Sequence, residues 1–285
     1  MFQRKMIPLL AAMMTALMLV ISGCGSTANN AASANKDTAA QAEASGANST
    51  ASSKVELLVS AAASLTESMD ELKTIYEAAH NDVNLTFNYG ASGTLQQQIE
   101  QGAPADLFLS AGKKQMDALL DKGLIDAKLS ANLLTNDLVL IVPENATVQI
   151  NALEDLGQAG NIAIGTPESV PAGKYAQQTL TYYKLWDSLQ PKLVMTKDVK
   201  QVLSYVETGN ADAGFVYKTD AAVSAKVKIA LTADPASHDP IEYPAGVLTG
   251  SQHPDEAKAF YEFCNPPRRW KCSKNTDSTR RSNGS

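Results

Sequence analysis
The chain has 285 residues and a formal net charge of −6, from 24 Lys and Arg against 30 Asp and Glu. No basic stripe or Lys/Arg cluster occurs between the N-terminal leader and Phe263, which argues against nucleic acid as a partner. The three cysteines form neither a disulfide framework nor a zinc spacing, and His80, His238 and His253 stand isolated among polar neighbours. Neither a metal site nor a cofactor is expected.

Residues 1–23 have the three parts of an export signal. Arg4 and Lys5 give a positive start, Ile7 to Ile21 is apolar, and Ser22-Gly23 are small residues before Cys24. The apolar run holds Pro8 and Thr15 and is too short for a comfortable membrane span. Its ending, Ile21-Ser22-Gly23-Cys24, resembles the lipobox of bacterial lipoproteins, which implies cleavage before Cys24 and a lipid on its sulfur. Residues 25–53 are Ala, Ser, Thr, Asn, Gly and Gln with three charged residues. Such a stretch cannot bury apolar area and is expected to be a disordered tether, making 24–53 lipidated Cys plus spacer.

The folded part starts near Lys54 and suits one large domain or two small ones. Val55 to Ser60 predicts a strand, and Ser64-Leu65-Thr66-Glu67 predicts a capping box before an amphipathic helix carrying Leu65, Met69, Leu72 and Tyr76. Strand Leu85 to Tyr89, a helix through Glu100, strand Leu107 to Ser110 and helix Lys114 to Leu120 follow. Asp137 to Val142 is a continuous apolar run before Pro143, as expected of a strand buried on both faces. Strands 162–165, 193–196, 213–217, 227–231 and 241–248 then alternate with helices from Pro171 and Val199. This order predicts an α/β fold with mostly parallel sheets flanked by helices.

In open α/β sheets, ligands sit beyond the carboxyl ends of the strands, where helices begin. Four stretches lie at such mouths: AAASLTE (61–67), YGASGTL (89–95), PESVPAGKYA (167–176) and TKDVKQV (196–202). A fifth, GFVYKTDA (214–221), ends a strand with Tyr217. Helix starts carry amides without intrahelical partners and the positive end of the dipole, so they bind anions. Ser64 and Ser92 add hydroxyl donors, and Pro171 at a first helical position leaves the amides of Ala172 and Gly173 outward.

Ser92 invites a second reading, as the nucleophile of a serine hydrolase. A nucleophile elbow needs G-x-S-x-G, and here Gly90-Ala91-Ser92-Gly93 displaces the second glycine by one. A triad also needs a histidine and an acid, and neither His238 nor His253 follows a strand in a setting that would present it. The balance favours a binding protein with no catalytic residues.

AAASLTESM, GASGTLQQQIEQGAPADLFLSA, VPAGKYA and GFVYKTDA stand in an order and spacing that resemble the periplasmic molybdate-binding proteins of ATP-binding cassette importers. The resemblance spans roughly Val55 to Phe263. It implies a two-lobed periplasmic-binding-protein fold of type II whose cleft closes on a tetrahedral oxyanion. The implied contacts are the hydroxyls of Ser64 and Ser92, the amides of Ala172 and Val199, and the hydroxyl of Tyr217. Gly93 stands where some relatives have a serine, a difference expected to alter only a minor contact.

The chemistry agrees with that implication. Molybdate or tungstate has only acceptor oxygens, so neutral donors satisfy it, whereas hydrogen phosphate needs an acceptor as well. Sulfate has the same charge and shape and is the alternative ligand.

The expected lobes are 54–137 plus 245–263, and 138–244. The expected protein is a monomer, lipid-anchored on the extracytoplasmic face of the cell membrane, serving an importer permease. Residues 264–285 are polar, basic and aperiodic where such proteins continue with a helix. A single-base deletion near the Phe263 codon, or a sequencing error there, is the expected origin of that tail.

Overall fold
In a computed structural model, the described residues are 54–265. The export signal, Cys24, the tether and the tail from residue 266 onward lie outside them.

The chain first builds β1 (Val55–Ala62), a 3-10 turn at Ala63–Leu65, α1 (Thr66–Ala79), β2 (Val83–Gly90), α2 (Ser92–Glu100), β3 (Leu107–Leu109), α3 (Lys113–Asp121) and β4 (Ile125–Thr135). It then crosses to a second sheet. There it lays down β5 (Leu138–Pro143), β6 (Ile162–Gly165), α4 (Pro171–Tyr182), α5 (Trp186–Leu189), β7 (Leu193–Thr196) and α6 (Val199–Glu207). The second sheet is completed by β8 (Ala213–Tyr217), α7 (Lys218–Ala222) and β9 (Val227–Thr232). The chain returns to the first sheet as β10 (Glu242–Leu248) and ends in α8 (Pro254–Cys264).

The two five-stranded sheets have the orders β2-β1-β3-β10-β4 and β7-β6-β8-β5-β9. They share one logic. In each, the first three strands are mutually parallel and the fourth runs against both its neighbours. The mostly parallel sheets are therefore mixed, and the reversed member, β10 or β5, is the strand that has just arrived from the other lobe. A strand entering through the cleft starts at the edge where the parallel strands end, so it must run the opposite way.

β5 is buried along Leu138 to Val142, as its unbroken apolar run requires, and it sits between β8 and β9. Each such side chain contributes about 1.5–3 kcal/mol of burial. β4 was not legible in the sequence. Its Asp, Lys, Ser and Asn residues are poor strand formers and its burial does not alternate; pairing along β10 holds it extended. α8 reaches Cys264, which is buried, so the first residue assigned to the irregular tail belongs to the core.

Candidate oxyanion site
Six strands, β1, β2 and β3 of one lobe and β6, β7 and β8 of the other, end at a common seam. Around it the two lobes touch. Gly93 N–H donates to Ser169 O at 2.9 Å, and the Tyr217 hydroxyl donates to Ala111 O at 3.2 Å. A Cβ on Gly93 would lie 2.6 Å from Ser169 O, so a serine here requires the 169 segment to sit further off. The change at Gly93 is therefore at the seam itself, and is more than a minor contact.

Inside the seam lies a cavity of about 10 Å³, room for roughly one water-sized sphere. It is far below the roughly 300–1,000 Å³ of sites for drug-sized molecules, so nothing larger than a small ion suits it. The first lobe lines it with Ala63, Ser64, Gly90, Ser92 and Ala111; the second with Val170, Ala172, Asp198, Val199 and Tyr217. All five residues singled out in the sequence thus border one cavity, and all five are buried.

The expected capping box at Ser64 does not form. α1 begins at Thr66 with no side-chain cap, and the Ser64 hydroxyl lies 3.0 Å from the Tyr243 hydroxyl instead. Ser64 sits in the preceding 3-10 turn, with its hydroxyl against Tyr243 of β10 rather than on an amide of α1. Ser92 is the first residue of α2, 1 % exposed, and its Oγ accepts from Ala111 N–H at 2.9 Å. With that lone pair taken, its own hydrogen is available for another partner.

In the second lobe the donors are main-chain groups. Pro171 opens α4 and the first helical amide to bond back is Lys174, so Ala172 and Gly173 precede the ladder. Gly173 is required by packing, since a Cβ there would lie 1.8 Å from Gly165 O. That contact brings the start of α4 against the end of β6. Asp198 caps α6, its carboxylate accepting from Gln201 N–H at 2.8 Å, which leaves the amide of Val199 ahead of the capped turn.

Burial pushes the Tyr217 phenol well above its usual range, reinforced by Tyr243, Tyr175 and the Asp220 carboxylate. Burial does the same to Tyr243, with the Asp220 carboxylate adding to it. Both hydroxyls therefore keep their hydrogens at physiological pH. Tyr217 directs its hydrogen at Ala111 O, so serving an anion requires its hydroxyl to turn.

Sequence reasoning missed the charged cluster beside the cavity. Lys200 of α6 contacts Glu67 of α1 at 2.7 Å and Asp220 of α7 at 3.2 Å, joining the lobes. Complete burial raises Asp220 from 3.8 to about 6, although Lys200 opposes the shift. Burial works against the Lys200 charge, but Asp220 and Glu67 outweigh it and its pKa rises. Three residues so far apart in the chain share no local signal. Asp198, three residues before Gln201, was the detectable one, as an N-cap.

A profile of bacterial extracellular solute-binding proteins matches residues 57–267. The chain belongs to that family. Among curated relatives this solute-binding protein is 50 % identical over 210 residues to the Bacillus subtilis "Putative ABC transporter substrate-binding lipoprotein YvgL", covering 74 % of this chain and 81 % of that one. It is 40 % identical over 219 residues to the molybdate-binding protein ModA of Escherichia coli, covering 74 % and 84 %. Among solved structures it superposes on the periplasmic molybdate-binding protein of Azotobacter vinelandii with a TM-score of 0.67 at 25 % identity, over 74 % and 93 % of the two chains. The two-lobed type II architecture follows, and the family is one of transport rather than of enzymes.

Proposed function
We propose that this protein captures molybdate or tungstate between its lobes and delivers it to an ATP-binding cassette importer. It performs no catalysis itself, works as a monomer, and is held on the outer face of the membrane by a lipid on Cys24. One observation carries the reading: hydroxyls from one lobe and helix-start amides from the other converge on a single small, buried cavity. Ser64, Ser92, Ala172, Val199 and Tyr217 are the donors.

The chemistry follows from charge and hydrogens. A dianion with four acceptor oxygens is satisfied by donors, each charge-assisted bond contributing about 1.5–3 kcal/mol. Helix starts supply partial positive charge, so no lysine is needed against the oxygens. Because donors from both lobes serve one ion, the closed form binds it better, and the ion shifts the population toward closure.

The names of the ModA relatives support molybdate over the sulfate alternative, as a matter of similarity. The hydrolase alternative loses its support at Ser92, whose partner is the Ala111 N–H, a donor that cannot take a proton. The test is a panel of molybdate, tungstate, sulfate and phosphate followed by melting temperature and calorimetry. Stabilisation that grows with molybdate or tungstate and is much weaker with the other two is expected. Equal response to sulfate moves the assignment to sulfate, and labelling of Ser92 by a fluorophosphonate revives the hydrolase.

A further inference from the structure
The Ser64 hydroxyl is oriented from the hinge. Asn136 sits where the chain first crosses between sheets, and Tyr243 sits in β10 just after it returns. The Asn136 Oδ1 accepts the Asp137 N–H at 2.9 Å, which fixes which way the amide faces. Its Nδ2 then donates to Thr219 Oγ1 at 2.9 Å and, more distantly, to the Tyr243 hydroxyl at 3.4 Å. An amide nitrogen has only hydrogens to give. The Tyr243 oxygen therefore receives from Asn136, and Ser64 Oγ lies 3.0 Å away, a pair in which either hydroxyl can donate. Tyr243 is 3 % exposed, so water does not compete.

With Tyr243 as the donor of that pair, the chain runs from Asn136 through Tyr243 to Ser64 and leaves the Ser64 hydrogen for the cavity. Ala111 N–H does the same for Ser92. Asp198, the carboxylate bordering the cavity, is turned back onto α6 as its cap. We propose that Tyr243, oriented by Asn136, is a positioning residue that sets specificity: by donating to a lone pair of Ser64 it turns the Ser64 hydrogen to the cavity, so that this side of the pocket gives hydrogens. An oxyanion that carries its own proton then meets a donor at Ser64 in place of an acceptor, and a hydroxyl left unpaired there is disfavoured. This rests on the oxyanion reading above and adds to it the means by which protonated oxyanions are refused.

Tyr243→Phe separates this role from a packing role, because it keeps the ring and removes the hydroxyl. The full chain and the variant are titrated with molybdate and with phosphate at pH 7.5. Molybdate affinity is expected to fall roughly tenfold, about the worth of one hydrogen bond, while phosphate affinity rises, so that their ratio narrows. In a Ser64→Ala background the same substitution is expected to leave the ratio unchanged, since the chain then has no end. An unaltered ratio in Tyr243→Phe, or an effect that persists without Ser64, overturns the proposal. If Tyr243→Phe does not fold, Asn136→Asp reads the same chain, because a carboxylate accepts where the amide donated. It is expected to weaken molybdate and narrow the ratio, and an unchanged ratio there counts against the proposal equally. A wild-type chain that ignores molybdate altogether fails at the functional reading first, which the wild-type titration shows on its own.

Discussion
The first lobe meets the cavity with side-chain hydroxyls, Ser64 and Ser92, whereas the second meets it chiefly with the main-chain amides of Ala172 and Val199. A hydroxyl is placed by its rotamer and its neighbours, and one substitution deletes it. An amide is placed by the helix that begins there, and no side-chain change short of proline removes it. One lobe therefore encodes its contacts in residue identity and the other in the position of helix starts. Tyr217 is the second lobe's exception, and it is the group that reaches across to Ala111.

The largest effect that could break this comparison is on the scaffold behind the amides. Gly173→Ala places a methyl 1.8 Å from Gly165 O and must push α4 off β6. A loss of about 3 kcal/mol or more in denaturant unfolding is expected, at the upper end of overpacking costs. A midpoint matching that of the wild type would show that α4 is not held against β6 in this way.

Nearly as large is the cost of the buried acid. Asp220 is raised from 3.8 to about 6 by burial, so as pH rises the unfolded chain gives up this proton first. The stability it contributes is present below about pH 4 and is lost across pH 4 to 6, by about 3 kcal/mol at most. Melting temperatures of the wild type and Asp220→Asn, compared pH by pH, should show the wild type losing ground over that window and holding level above it. A constant difference from pH 4 to 8 would remove the buried carboxylate from the account.

Ser92→Ala and Ser64→Ala sharpen the contrast directly. Each should weaken molybdate binding by about 1.5–3 kcal/mol, the range of a charge-assisted bond. Ala172→Gly keeps the amide and should cost less than about 1 kcal/mol, through backbone freedom at the helix start. Equal losses in calorimetry would erase the distinction between the lobes. Smallest is Glu67→Gln, since Glu67 is half exposed and its pairing with Lys200 is screened. A loss of about 0.2–1 kcal/mol that shrinks with added salt is expected, and a larger, salt-independent loss would make the pair part of the site itself.

The same difference explains what could be read from the chain. The strand-to-helix turns, with their small residues, hydroxyls and Pro171, were legible because backbone chemistry demands those residue types locally. Both serines of the first lobe stood out as residues; the amides of the second stood out only as starts of helices. Ser64 was read as a cap because Thr66-Glu67 completes the pattern, but Tyr243 competes for its hydroxyl from 179 positions away. The Glu67–Lys200–Asp220 cluster and the extended β4 were hidden for the same reason. Long-range pairing decides them, and local propensity points elsewhere. The reversal of β5 and β10 was likewise invisible, because it follows from where each strand enters its sheet.

The most direct test of convergence is a crystal of the protein grown with molybdate and measured at an X-ray energy where molybdenum scatters anomalously. The account predicts a single strong anomalous peak between Ser64 and Ser92 on one side and the starts of α4 and α6 on the other, with oxygens facing their hydroxyls and amides. A peak held by Lys200 or another basic side chain, or no peak between the lobes, would contradict it.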